Sequence, residues 1–247
     1  MVINRIIPCL LMSDAALVKT IRFKNPNYIG DPCNTIRIFN ELEVDEIALL
    51  DIDKTLKKCE PDYSLLKDIA QEAFMPMSYG GGIKTEKQAQ KIFEIGFEKI
   101  IINSLIYESP GIVRALSSVF GSQAIVASVD YKKSFFKNQN YVYIYSGRKN
   151  TFVDVNDYCK KIQDLGVGEI ILTSIEKEGT WNNFDYKTIK KISSSLTIPI
   201  IAHGGCGKVE HIINMFNQGN SVAVGSLVVY LKKDGGVLVN IPNLGKL

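Results

Sequence analysis

Leu50-Asp51-Ile52-Asp53, followed by Gly80-Gly81-Gly82-Ile83-Lys84, is answered in the second half of the chain by Thr173-Ser174-Ile175-Glu176 and then Gly204-Gly205-Cys206-Gly207-Lys208. The spacing is nearly constant: Asp51 to Ser174 is 123 residues, Gly80 to Gly204 is 124, and Ser104 to Ser226 is 122. Carried back to the starts of the halves, this register lays Ile6-Ile7-Pro8-Cys9-Leu10-Leu11 on Ile125-Val126-Ala127-Ser128-Val129-Asp130. Asp130 therefore meets Leu11, an apolar residue where a duplicated site would hold a second acid.

Working outward, short β-branched runs alternate with helical patterns along the whole chain, the signature of repeated βα units and a parallel sheet. Eight runs read as strands, centred on Ile6–Leu10, Ile47–Leu50, Met77–Tyr79, Ile100–Ile102, Ile125–Val129, Ile170–Leu172, Ile200–Ala202 and Val222–Val224. The helices between them carry their own punctuation. Asp31-Pro32 reads as a cap and first helical residue, as does Ser109-Pro110 with Gly121 beyond the far end. Thr85 with Gln88 is a capping-box pattern. Val155, Tyr158, Cys159, Ile162 and Leu165 recur at helical spacing before Gly166.

Eight units in two similar halves with no linker predict the α/β class and a single closed (β/α)8 TIM barrel over residues 1–247, with half-barrels of about 1–120 and 121–247. A dinucleotide-binding fold is disfavoured, because no G-x-G-x-x-G follows the first strand. Met12–Gly30 is longer and more polar than an ordinary connection and reads as a functional loop. Tyr131–Ser146, with Asn138, Asn140 and the alternation Tyr141-Val142-Tyr143-Ile144-Tyr145, reads as a β-hairpin. Lys232–Leu247, with Gly235, Gly236 and Pro242, is expected to be irregular.

The 46% hydrophobic content suffices for a large core, and a formal charge of +3 from 29 basic and 26 acidic residues argues for neither nucleic acid nor a membrane surface. Cys9, Cys33, Cys59, Cys159 and Cys206 are odd in number and form no C-x-x-C pair, which disfavours zinc and disulfides and fits a reducing cytoplasm. No signal sequence is expected, and no run approaches membrane-spanning length. No metal and no cofactor is expected.

In such a barrel the reactive face lies at the C-terminal ends of the strands. Backbone N–H groups of glycine-rich turns can hold a phosphate dianion, so Gly80, Gly81 and Gly82 with Ser104 make one candidate cradle, and Gly204 and Gly205 with Gly225 and Ser226 the other. Two cradles suit a ligand with a phosphate at each end; the alternative is that the glycines only permit tight turns. Asp130 ends an apolar strand and is the leading acid/base candidate, its alternative being a cap for the next loop. Asp51 rather than Asp53 is expected to face inward, and Asn103 and Thr173 lie at the same level. Lys19, in the long mobile loop, could close over an anion or be a solvated lysine. His203 and His211 are the only histidines, which disfavours hydrolytic triads and His-rich metal sites. At the opposite face Arg5, Glu46, Lys99 and Glu169 each immediately precede an apolar run, and could meet on the barrel axis as two salt-bridged pairs.

These residues resemble the cyclase subunit of imidazole glycerol phosphate synthase over nearly the whole chain. The matching stretches are Arg5-Ile6-Ile7 with Cys9-Leu10, Val18-Lys19, Gly30-Asp31-Pro32, Leu50-Asp51-Ile52, Gly80–Ile83, Gly121-Ser122-Gln123-Ala124, Ser146-Gly147 with Lys149-Asn150-Thr151, and Leu172–Ile175. The resemblance implies a glutaminase partner on the N-terminal face and ammonia passing through the core to a phosphorylated small molecule at the other end. It gives Arg5, Glu46, Lys99 and Glu169 the role of a gate, Lys19 that of a substrate-closing residue, and Ser146, Glu178 and Gly179 a place in the substrate site. Asp130 matches one of two catalytic aspartates. The other falls at position 11, where this chain has leucine, and Met12, Ser13 and Ala15 also depart from the family's polar, glycine-containing loop.

The chain is also similar to a paralogous branch that works with a glutaminase and a separate sugar amidotransferase, converting an acetamido to an acetamidino group in surface-polysaccharide sugars. Three readings follow: an ammonia-conducting subunit of that kind, an authentic histidine-pathway cyclase, and a catalytically silent barrel that regulates the glutaminase.

Overall fold

All eight expected runs are strands, and the sheet they make closes on itself. The computed structural model describes residues 4–134, 139–233 and 235–242. The first half contains β1 (Ile6–Ser13), β2 (Ala16–Ile21), β3 (Lys24–Gly30), α1 (Pro32–Glu41), β4 (Ile47–Asp51), α2 (Lys54–Lys57), α3 (Tyr63–Glu72), β5 (Met77–Gly80), α4 (Glu86–Ile95), β6 (Lys99–Ile102), α5 (Ser104–Glu108) and α6 (Pro110–Phe120). The second contains β7 (Ile125–Lys133), β8 (Asn140–Ile144), β9 (Lys149–Asp154), α7 (Val155–Gln163), β10 (Glu169–Ser174), α8 (Tyr186–Ser193), β11 (Ile200–His203), α9 (Val209–Phe216), β12 (Ser221–Val224) and α10 (Ser226–Val229).

The strands β1, β4, β5, β6, β7, β10, β11 and β12 pair in that order, all parallel, and β12 returns to β1 through Ile6 opposite Val222. This is a closed (β/α)8 TIM barrel of the α/β class.

Successive side chains of a strand point to opposite faces, and in a parallel barrel both faces are buried. Outward-facing residues such as Leu10, Leu49, Ile100 and Leu172 pack under the helices. Ile7, Cys9, Ala48, Ile101, Val126, Ile171, Ile201 and Ala223 face inward and form a second apolar cluster, with Leu50 against it. The helix signals read from the sequence act locally. Asp31 accepts a hydrogen bond from the Asn34 N–H, and Thr85 and Gln88 complete a capping box. Ser109 precedes α6 but makes no side-chain cap bond. In α7 the stripe Val155, Tyr158, Cys159 and Ile162 is buried, with Leu165 just beyond the helix.

Met12–Gly30 is not an irregular loop. β1 runs on to Ser13 and turns back through β2 and β3. The two turns, Asp14-Ala15 and Arg22-Phe23, have positive φ at both central residues, the twist that joins tight hairpins. The expected hairpin after the fifth barrel strand is present, with Asp130 opposite Tyr143 and Lys133 opposite Asn140, and β9 adds a third strand; Asn138 lies outside the described residues. Beyond α10 the described residues are irregular apart from a bridge between Tyr230 and Val237. Among the described residues, no helix is long and apolar enough to cross a membrane.

Candidate functional site

At the N-terminal end of the barrel the four charges form one ring rather than two separate pairs. Arg5 donates to Glu46 (2.5 Å) and Glu169 (2.7 Å), and Lys99 reaches the same two carboxylates at 3.0 and 3.3 Å. Each carboxylate thus bridges both cations. Glu46, buried between Arg5 and Lys99, would be left as an uncompensated charge without them, so the ring is held by mutual need. Above it lies the inward apolar cluster of Ile7, Ala48, Ile101, Val126, Ile171, Ile201 and Ala223.

Above that layer, a cavity opens at the C-terminal ends of the strands. Asp51, Gly81, Gly82, Asn103, Ser104 and Ser146 line one side, and Lys19, Asp130, Thr173, Glu178 and His203 the other, with Cys9, Leu11 and Leu50 on its wall. Asp51 is buried and Asp53 is turned away into bonds with Ser13, Asp14 and Lys57. The Asp51 carboxylate accepts from the N–H groups of Asp53 and Lys54, and burial raises its pKa against those bonds. Ser104 accepts from the Tyr145 N–H, fastening the β8–β9 turn to the first glycine cradle. Gly81 sits at φ +140° with its α-carbon against Asp51, where a Cβ would come within 2.7 Å of the Asp51 carbonyl oxygen. Only glycine fits there.

Asp130 lies on the inward face of β7 just beyond its apolar run and is 7% exposed. Asn103 Nδ2 donates to its carboxylate at 3.0 Å. Burial pushes the Asp130 pKa up to about 7, against bonds from Thr173 and Asn103 that favour the charged form. A carboxyl so placed can either give or take a proton near neutrality. Leu11, 8% exposed, supplies only a methyl surface to the same cavity. Burial raises the Cys9 pKa to about 12, so its thiol stays protonated and is no nucleophile.

Lys19 is not a solvated loop lysine. It lies in β2, 5% exposed, and its ammonium pairs with Glu178 and donates to the Thr20 carbonyl. Glu178 also accepts from Thr20 Oγ1 and the Phe23 N–H, each at 3.2 Å, so one carboxylate pins both the lysine and the strained Arg22-Phe23 turn.

The second set of glycines is enclosed. A Cβ on Gly205 would come within 2.1 Å of the Asn183 carbonyl oxygen, and one on Gly204 within 2.8 Å of that of Ser174. At Gly225 it would meet the Lys19 Cε at 2.9 Å. Gly179 packs equally tightly on Thr20, and Gly204, Gly205, Gly225 and Ser226 do not line the cavity. The structure therefore brings the first cradle, Asp130 and Thr173 together around one opening, and packs Gly204 and Gly205 against the 174–183 segment and Gly225 against Lys19. The sequence offers His203 only as one of two histidines, yet it ends the apolar run Ile200-Ile201-Ala202 as Asp130 ends the apolar run Ile125–Val129, a signal for a residue facing the cavity.

The match to known proteins follows this geometry. The histidine biosynthesis protein family model covers residues 5–233. The chain belongs to that family. Within it, the chain is 43% identical over 249 residues to the Pseudomonas aeruginosa protein named "Putative imidazole glycerol phosphate synthase subunit hisF2", covering 100% of this chain and 99% of the relative. It is 45% identical over 241 residues to a Leptospira borgpetersenii protein named "Putative imidazole glycerol phosphate synthase subunit HisF" (97% and 95% covered), and 34% identical over 255 residues to the Methanococcus vannielii imidazole glycerol phosphate synthase subunit HisF (95% and 94% covered). The chain is thus of the HisF cyclase-subunit type.

Proposed function

We propose that this HisF-type barrel receives ammonia from a glutaminase docked on its N-terminal face and delivers it at the opposite cavity, in the service of converting an acetamido group to an acetamidino group on a surface-polysaccharide sugar. A separate sugar amidotransferase carries out the amidation. The observation that carries this reading is Leu11 in the cavity wall, together with the charged ring of Arg5, Glu46, Lys99 and Glu169 and the apolar interior above it, which would serve as the conduit. Such an interior favours neutral NH3 over ammonium, because an unpaired charge is costly there. A leucine can neither protonate nor deprotonate a closing ring, and one positioned acid is worth roughly 10²- to 10⁴-fold in rate.

A specific observation favours a second reading, an authentic cyclase: Asp130 remains buried with a pKa near neutrality. One experiment separates the two. The purified chain is given ammonium salt and the bisphosphorylated ribonucleotide of the family reaction, and imidazole glycerol phosphate is followed. The sugar-modifying reading expects no turnover, with partial activity recovered by Leu11→Asp. Turnover by the unaltered chain at the rate of an authentic cyclase overturns it. In the positive arm, glutamine-driven conversion of an acetamido sugar by the three-protein system should be lost in Glu46→Gln.

A further inference from the structure

Asp130, Thr173 and His203 occupy three neighbouring strands at one level. The parallel register sets Thr173 directly beside Asp130 on one side and His203 on the other, so all three side chains project inward together. They form the layer immediately above Ile171 and Ile201, two residues below on β10 and β11, which belong to the apolar interior. A neutral nitrogen species leaving that interior meets them first.

Their bonding is directional. Thr173 Oγ1 lies 3.1 Å from His203 Nδ1, and on its other side Thr173 faces Asp130 across the strand register, where its hydroxyl favours the charged carboxylate. A hydroxyl has one proton. When Thr173 gives it to the Asp130 carboxylate, His203 Nδ1 must be the donor to the threonine oxygen, and Nε2 is left as an acceptor. When Asp130 holds a proton, Thr173 is free to donate to Nδ1, and Nε2 then carries the hydrogen.

We propose that Asp130, Thr173 and His203 form a proton relay, in which His203 Nε2 takes a proton from a nitrogen nucleophile in the cavity and a proton is delivered to the Asp130 carboxylate. The step balances within the chain. As the ammonia nitrogen bonds to its acceptor carbon it releases a proton to Nε2; the Nδ1 proton passes to Thr173 Oγ1, and the hydroxyl proton passes to the Asp130 carboxylate. His203 ends neutral with its tautomer inverted. The relay rests on the ammonia reading only for the source of the proton. It supplies a second proton-handling residue in a site whose position 11 has none, and Thr173 acts in it as a positioning residue.

The surrounding groups are compatible with it. His203 faces Glu178 and Lys19, whose charges oppose one another, and burial keeps its pKa down at about 4, so the ring stays neutral. Asp130 faces Glu178 and Lys132 besides Asn103 and Thr173, and the Cys9 thiol beside them stays protonated.

With only two histidines in the chain, side-chain nitrogen-15 NMR reads the tautomer directly. His203→Gln assigns the signals, and His211 is the internal reference. Through the Asp130 midpoint at about 7, the protonated and bare nitrogens of His203 should exchange identity, Nδ1–H above and Nε2–H below. Thr173→Val and Asp130→Asn should abolish the exchange, and Thr173→Ser should keep it. A His203 tautomer fixed across this range, or an exchange that survives Thr173→Val, overturns the relay. Absence of any glutamine-driven product with the exchange intact would instead remove the ammonia reading and leave the relay standing.

Discussion

Replacing Asp130 by asparagine should make the protein more stable in alkali and leave it nearly unchanged in acid. The carboxyl's ordinary pKa of 3.8 is raised by burial to about 7 in the folded chain. The folded state therefore holds this proton more tightly than the unfolded state. Folding takes up a proton between the two values, and above about 7 the buried charge weighs against the fold. A shift of roughly three units at 1.36 kcal/mol each amounts to about 4 kcal/mol above the folded midpoint, and to nothing below pH 3.8. Asparagine has no such proton, and its neutral amide stands in for the protonated carboxyl, with an oxygen to accept and an N–H to donate.

The variant should accordingly gain about 4 kcal/mol over the wild type at alkaline pH and stay within about 1 kcal/mol of it in acid. The assay is urea unfolding of both proteins across that range. His203 acts in the opposite sense, since its depressed pKa removes stability as the pH falls from 6.5 towards about 4, but it does so in both proteins and cancels in the difference. A difference that does not change with pH, or one in which the wild type gains on the variant as pH rises, would refute the assignment of a buried, reluctantly charged carboxyl.

Other outcomes follow from the same structure. Glu46→Gln leaves Arg5 and Lys99 sharing Glu169 alone; with the glutaminase bound, glutamine-driven activity should fall at least about tenfold relative to ammonium-driven activity, and thermal unfolding should show a loss of roughly 1–3 kcal/mol. Gly81→Ala should cost roughly 1–3 kcal/mol in urea unfolding, because its φ of +140° and its 2.7 Å approach to the Asp51 carbonyl both penalise a Cβ. Thr85→Ala removes half of a capping box and should cost about 1 kcal/mol without altering any ligand-dependent readout.

The barrel was legible because its strands are β-branched runs buried on both faces, each ending in a polar or glycine residue: Ile47–Asp51 and Ile200–His203 show this as clearly as Ile125–Asp130. The β2–β3 hairpin was not. Its turns are Asp14-Ala15 and Arg22-Phe23, whereas positive φ at both positions ordinarily selects asparagine, aspartate or glycine. The Arg22-Phe23 turn is held instead from a distance, by the Arg22 N–H on the Glu178 carbonyl and the Phe23 N–H on the Glu178 side chain, contacts that no local pattern encodes. The second strand also hides its alternation, since Leu17, Val18, Lys19 and Thr20 are all buried. Lys19 consequently read as a loop lysine. The repeat at Gly204 and Gly205 matched its counterpart in sequence, but sequence could not show that the 174–183 segment packs onto it. His203 was weighed only against triads and metal sites, so its ordinary place at a strand end went unused.

The packing of Lys19 over Gly225 has an evolutionary consequence. The lysine stem occupies the space a side chain at 225 would need, its ammonium is committed to Glu178, and Glu178 in turn holds the turn between β2 and β3. Residues from three distant stretches of the chain therefore constrain one another. A substitution at any one of them is judged against the other two, so a larger residue at 225 would require coordinated change rather than a single step, and this mutual epistasis would hold the second glycine turn in its present form.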